Sequence, residues 1–320
     1  MNDSGPYVLI IGSANIDLNI YSNRLPKQGE TVTGGTFKQF LGGKGANQAV
    51  ASARSGSKTI FIGKIGKDAF GDQMVKQLIG EDIDTSHIKR DPQEPSGIAF
   101  VLIDSNGENM ISVAPGANAN LSIQDISENA EIIKNARCIV VQMEIPLETI
   151  QEIYNIASQG KVIKILNPAP LKILPREIFK NIDIIIPNEG ELFKLHSLLN
   201  LGSLHGEKKR KIIQASANMA NLGVKYVITT LGKNGSIIFD GESKEAFEVP
   251  AIKVNAVDTV GAGDCFNGVL ASKLCAGESI VDAVKYATVA ASIAVTRKGA
   301  QDSMPYAKEI EEIFLHYPKF

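Results

Sequence analysis

Val257-Asp258-Thr259-Val260-Gly261-Ala262-Gly263-Asp264-Cys265-Phe266-Asn267-Gly268 is the stretch from which the rest of the chain is read. Three small residues, Gly261, Ala262 and Gly263, open an apolar-periodic segment that predicts a helix over about 264–276. The first amides of a helix have no partner within it and point outward together. With the helix dipole behind them they suit an anion, and glycine lets the backbone approach that anion closely. Asp264 adds a carboxylate beside this positive pocket. The pairing suits a base that takes a proton from a hydroxyl while amides hold the phosphate being attacked. A carboxylate after a glycine run is equally a helix N-cap, and local chemistry leaves both readings open.

Outward from this motif, short apolar runs bounded by turn residues recur at 8–11, 60–62, 138–143, 162–166, 182–186 and 226–229. Helical patterns lie between them, at about 45–55, 71–79, 147–158, 189–199 and 209–222, with further helices at 280–296 and 308–316. Continuous rather than alternating apolar strands, spaced by helices, predict an α/β fold. The expected architecture is a doubly wound, mostly parallel sheet with helices on both faces. Two segments break the rhythm. The stretch 16–37 is alternating and turn-rich, and 97–113 reads as a hairpin turning at Ser105-Asn106-Gly107. Asn-Gly between apolar runs is a strong hairpin signal. Together they predict a small β-sheet lid on a single domain spanning 1–320, with an edge open to a second subunit.

Composition narrows the function. At 320 residues, with 44% hydrophobic and 21% charged residues, the chain has the make-up of a globular protein with a large core. A formal net charge of −2 argues against nucleic-acid or membrane surfaces built on bulk basicity. The one dense basic run, Lys208-Lys209-Arg210-Lys211, reads as a solvated helix face. No apolar stretch reaches membrane-spanning length and no basic leader precedes an apolar run, so a cytoplasmic protein is expected. Three cysteines (Cys138, Cys265 and Cys275) without a CxxC pair exclude a disulfide framework, and the four histidines form no metal-ligand cluster.

Further constellations sit at the ends of the predicted strands, where ligands bind in open α/β sheets. After the first strand, Asn15 and Asp17 offer an amide and a carboxylate two residues apart. They face one way if extended, as vicinal hydroxyls require, or else simply form a turn. Leu41-Gly42-Gly43-Lys44-Gly45-Ala46-Asn47 opens another helix. It is not a Walker A loop, because Lys38 stands where the first glycine belongs and Gly45 replaces Ser/Thr. Nor does Gly261-Ala262-Gly263 complete a dinucleotide fingerprint, since Phe266 holds the third glycine position. Asn188-Glu189-Gly190-Glu191 offers carboxylates to a divalent cation through water, or plain helix-start acidity. Thr230-Leu231-Gly232-Lys233-Asn234-Gly235 is a glycine-rich turn that passes over a nucleotide or closes a hairpin.

Taken together, Gly42-Gly43-Lys44-Gly45-Ala46-Asn47, Asp258 to Asp264 and Thr296-Arg297-Lys298-Gly299-Ala300-Gln301 closely resemble the ribokinase group of the ribokinase-like (PfkB-type) carbohydrate kinases. The resemblance spans nearly the whole chain. It implies ATP-dependent phosphorylation of D-ribose at O5, giving D-ribose 5-phosphate and ADP. By the same resemblance, Asp264 is the base and the amides of Gly261, Ala262 and Gly263 are the anion hole for the γ-phosphoryl group. Asn15, Asp17, Gly43, Lys44, Gly45, Ala46, Asn47 and Glu144 match sugar-binding positions. Asn188, the loop Thr230, Leu231, Gly232, Lys233, Asn234 and Gly235, and Thr288 match the ATP side together with Gly263 and Asp264.

The resemblance further implies Mg2+ with ATP, with Glu191 near the metal, and K+ as an activating cation. Asp258, Val260, Ala294, Arg297, Gly299 and Ser303 match the potassium site, several of them through carbonyls. It implies a homodimer through the β lid and a cytoplasmic location, with a nuclear pool in a eukaryotic cell. The residues alone keep other readings open: a kinase for deoxyribose, another furanose or a nucleoside, or a sugar- or nucleotide-binding regulator without catalysis. An NAD(P)-dependent oxidoreductase is opposed by the incomplete glycine fingerprint, and a purely structural protein by the glycine and polar clusters at strand ends.

Overall fold

A computed structural model of the chain describes residues 5–317. Its frame is an eight-stranded sheet. In spatial order the strands are Ala246–Val249, Ser236–Asp240, Tyr226–Thr230, Ile184–Ile185, Ile163–Asn167, Cys138–Gln142, Val8–Ile11 and Thr59–Ile62. Pairing is parallel from Thr59–Ile62 across to Tyr226–Thr230 and antiparallel over the last two strands.

The continuous apolar runs have a direct cause. Alternate residues point to opposite faces, and both faces are covered. Val8 and Ile10 join a core with the helices Lys44–Arg54, Ala262–Cys275 and Ile280–Ala294. Leu9 and Ile11 join a second core with Leu147–Ala157, Glu189–Leu198 and Lys208–Ala220. Each such fully buried Ile or Leu contributes about 1.5–3 kcal/mol of transfer free energy. This is the doubly wound sheet that the sequence predicts.

The second sheet has four strands, in the order Thr36–Gly42, Asn15–Tyr21, Gly97–Ile103 and Asn109–Ala114. Asn15–Tyr21 follows the core strand Val8–Ile11 after three residues, and Thr36–Gly42 runs back to the helix at Lys44. Residues 22–35 carry no strand or helix, so the small sheet does not fill the expected 16–37 stretch. Its returning strand instead extends to Gly42, which pairs with Asn15. The mixed pattern of Lys38-Gln39-Phe40-Leu41 hides that strand, because only pairing with Asn15–Tyr21 makes it extended.

Four further elements escape sequence periodicity through shortness. They are the paired strands Lys64–Gly66 and Lys89–Asp91 and the helices Ile123–Ser127 and Ala130–Asn135. Among the described residues no helix is long and apolar enough to cross a membrane.

Candidate active site

Two glycine-introduced helix starts meet at the carboxyl edge of the sheet. The first helix, Lys44–Arg54, follows Gly43, whose φ of 86° is a left-handed value natural to glycine. Its leading amides are already used. Lys44 N donates to Glu144 Oε2 at 3.1 Å, and Ala46 N donates to the Ser13 carbonyl at 2.9 Å. The Ser13 hydroxyl donates to the same Glu144 oxygen.

The second helix, Ala262–Cys275, follows Gly261 at φ 75° and has no side-chain cap. Among the described residues the amides of Gly263 and Asp264 have no partner, and a Cβ built on Gly263 meets nothing within 4 Å. This start keeps the outward amides that suit an anion.

Asp264 is buried, and its carboxylate turns away from its own helix amides toward the first helix. Asn47 Nδ2 donates to Oδ2 at 2.9 Å and Gln48 Nε2 to Oδ1 at 2.9 Å. The N-cap position belongs to Gly261, so the capping reading of Asp264 fails. The two helices approach this closely because Gly268 faces Gln48, where a Cβ would stand 2.4 Å from the Gln48 carbonyl oxygen. Cys265, next to Asp264, is buried with its thiol pushed up to about 12 by desolvation, which keeps it protonated and unreactive.

Around Asp264 the site is strongly charged. Lys44 is held charged above its usual value, chiefly by Asp264 and then by Glu144, Glu191 and Asp17, against the opposing effect of burial. Asp17 pairs with Phe40, and its carboxylate leans over Gly42, where a Cβ would stand 2.4 Å from Asp17 Oδ2. Burial raises Asp17 to about 6, with help from the negative charges of Glu144 and Asp264 and opposition from Lys44. Asn15 starts the same strand on the same face. Its Oδ1 accepts from Asn118 Nδ2 at 2.8 Å, and Asn118 also bonds both backbone groups of Ala14.

Asn15, Asp17, Lys44, Asn47, Glu144 and Asp264 therefore come together. Gly43, Gly45 and Ala46 build the turn beneath them: a Cβ on Gly45 would lie 2.7 Å from the Gly12 carbonyl carbon.

The remaining candidates lie on two flanks. Asn188 and Glu191 cap the helix Glu189–Leu198 reciprocally, with Glu191 N on Asn188 Oδ1 at 2.9 Å and Asn188 N on Glu191 Oε2 at 2.8 Å. The helix-start reading is thus realised, and it leaves Glu191 Oε1 outside the cap. Burial raises the Glu191 carboxyl, against the hydrogen bond from the Asn188 amide and then the charge of Lys44.

Residues 230–235 connect two antiparallel strands, with Leu231 N on the Gly235 carbonyl at 2.7 Å, and Thr230 forms a bridge with Asn188. The segment is a hairpin turn and also lies at the site's edge. Thr288 is buried in the helix Ile280–Ala294, its hydroxyl donating to the Val284 carbonyl at 2.8 Å.

On the other flank, Asp258 ties two loops together, accepting from Val260 N and from Gly299 N, each at 3.0 Å. Ser303 Oγ donates to the Ala300 carbonyl at 2.8 Å, and Ala294 O accepts from Arg297 N at 3.0 Å. The Arg297 guanidinium pairs with Glu309, so this arginine offers the loop its backbone. Among the described residues no group of three or more His, Cys, Asp or Glu is placed to hold a metal.

Sequence reasoning missed Ser13, Gln48, Asn118, Gln142 and Asn167, all buried polar residues at the sheet edge. Only the adjacency of Gln48 to Asn47 and of Ser13 to Asn15 hinted at them.

Residues 6–307 match the family model of the pfkB family carbohydrate kinases. The chain is 37% identical to the ribokinase of Haemophilus influenzae, over 96% of this chain and 98% of that protein. It is 35% identical to the deoxyribokinase of Salmonella typhi, over 95% and 97% of the two chains. The solved structure of Arabidopsis thaliana ribokinase complexed with ribose and ATP superposes with a TM-score of 0.89 at 33% identity, covering 97% of this chain and 99% of that one.

Proposed function

The chain belongs to the pfkB family of carbohydrate kinases, and we propose that it transfers the γ-phosphoryl group of ATP to O5 of D-ribose, giving D-ribose 5-phosphate and ADP. The observation that carries this reading is the placement of Asp264. Its carboxylate is gripped by the helix that also presents Lys44 and bonds Glu144, while its own helix start leaves amides free.

In the reaction, Asp264 accepts the proton of the sugar O5 hydroxyl as O5 bonds to the γ-phosphorus and the bond to the ADP oxygen breaks. The amides of Gly261, Ala262 and Gly263 take the charge on the phosphoryl oxygens, the Ala262 amide by exchanging its 3.3 Å bond to the Thr259 carbonyl. Asn15, Asp17, Lys44, Asn47 and Glu144 hold the sugar hydroxyls, with Gly43, Gly45 and Ala46 shaping the turn. Asn188, the loop 230–235 and Thr288 hold the nucleotide.

Two ions belong to this reading. Among the described residues no group of three or more acidic or other metal-binding side chains is gathered, so Glu191 would stand beside a Mg2+ ion brought in with ATP, which would supply positive charge to the phosphates. For K+, Asp258 and the backbone of Val260, Ala294, Arg297, Gly299 and Ser303 fit a hard monovalent cation, because oxygen donors dominate there. The Asp258 bonds to Val260 and Gly299 couple that loop to the anion hole.

The protein is further read as one domain with the small sheet as lid and dimer surface. Val113 and Ile111 are exposed on the face that carries Asp17. Ile111→Asp should convert dimer to monomer by sedimentation, and a monomeric parent would remove the dimer. A cytoplasmic location is consistent with three buried, unpaired cysteines.

The deciding experiment is ADP release with Mg-ATP and a sugar panel, in potassium and in sodium. Turnover on D-ribose raised by potassium supports substrate and ion together. Higher turnover on 2-deoxyribose moves the substrate, and no turnover on any sugar removes the kinase reading.

A further inference from the structure

Gln48 is fully buried, one residue beyond Asn47 in the helix Lys44–Arg54. Its Nε2 donates to Asp264 Oδ1 at 2.9 Å and to Asn167 Oδ1 at 3.2 Å, while its Oε1 accepts from Gln142 Nε2 at 2.6 Å. Rotating this amide by half a turn would set its oxygen against the Asp264 carboxylate and its NH2 group against that of Gln142. Its orientation is therefore fixed.

Gln142 and Asn167 are the last residues of neighbouring, directly paired strands, and Asn167 Nδ2 is itself tied to the Ile186 carbonyl at 3.1 Å. The grip on Gln48 thus originates in the sheet rather than in a loop.

An aspartate carboxylate turns easily about its last torsion, whose energy profile is broad. One donor on Oδ2, Asn47, leaves that rotation available. A second donor on Oδ1 fixes the carboxylate plane. We infer that Gln48 is a positioning residue for the phosphoryl transfer, through which Gln142 and Asn167 set the plane of the Asp264 carboxylate. The inference rests on the reading of Asp264 as base, and it gives Gln48 no contact with either substrate.

The test is Gln48→Met, which keeps length and bulk and removes the donor. The expected result is a fall in kcat on the order of 10–10²-fold, as for a misplaced reacting group, with KM for sugar and for ATP unchanged. In an Asp264→Asn background the same substitution should cost nothing further.

If Gln48→Met does not fold, Gln142→Met removes the donor that fixes the amide, and a smaller loss confined to kcat is expected. A folded variant with parental kcat, or one whose loss appears in KM, overturns the inference. Turnover retained in Asp264→Asn itself would instead bring down the base reading, so the two failures are told apart.

Discussion

The helix starting at Lys44 and the helix starting at Ala262 are both introduced by glycines, yet the glycines serve different physical needs. At the first, Gly45 lies against the backbone of Gly12 and Ser13, and Glu144 and Ser13 consume the leading amides. That start is closed, and its glycines permit packing. At the second, Gly263 faces open space with unpartnered amides. That start is open, and its glycine permits approach from outside. Similar sequence motifs thus encode a joint in one place and open, unpartnered amides in the other.

Asp264→Asn probes the open start most severely. It should lower kcat by about 10²–10⁴-fold while calorimetry still detects sugar and nucleotide binding. A near-normal kcat would strip Asp264 of the base role. Gly263→Ala should leave the melting temperature unchanged and cost on the order of 10–10²-fold in kcat, because a methyl group displaces whatever the free amides hold. Full activity in that variant would erase the distinction between the two starts.

Gly45→Ala is the mirror experiment. It should cost about 1–3 kcal/mol in denaturant unfolding, with turnover per folded molecule changed less than in Gly263→Ala. An equally stable variant would refute the packing account.

The smallest effect is expected at Asp17, beside the closed start. Its folded value of about 6 lies above the 3.8 of the unfolded chain, so the folded state keeps a proton that the unfolded chain releases. That contribution is complete below pH 3.8 and is lost as pH rises through 6. Asp17→Asn should abolish this decline, making the sugar-free protein more stable above pH 6 than its parent, by about 1 kcal/mol after allowance for partial solvent screening. The same change should raise KM for the sugar. Melting temperatures across this range check it, and a parallel pH course for variant and parent would contradict it.

Sequence reading reached the six parallel strands of the main sheet because each is an unbroken apolar run, but not the antiparallel Ser236–Asp240 and Ala246–Val249, and it reached the hairpin at 105–107 through Asn-Gly. It reached Asp264, Lys44 and Asn47 because glycines mark both helix starts. It could not choose between base and cap for Asp264, since that depends on Asn47 and Gln48, more than two hundred residues away in the chain. Gln48, Gln142 and Asn167 stayed hidden for the same reason. A buried amide has no periodic signature, and its meaning lies in partners that the fold supplies. The strand Thr36–Gly42 was likewise only half legible, because its register with Asn15–Tyr21 is a long-range fact.

The small sheet is rooted at Asn15, which pairs with Gly42 on one side and Gly97 on the other, where Asn118 clasps Ala14 and Asn15. Mechanically, that root is a fulcrum. Asp17 stands two residues out along the arm and Tyr21 six, at about 3.3 Å each. A swing of roughly 15° would carry the tip about 5 Å but Asp17 under about 2 Å, by the same strand rise. Asn15 and Asp17, the proposed sugar ligands, sit on the short side of the lever, so a swing of the sheet would move its tip widely while leaving them nearly in place.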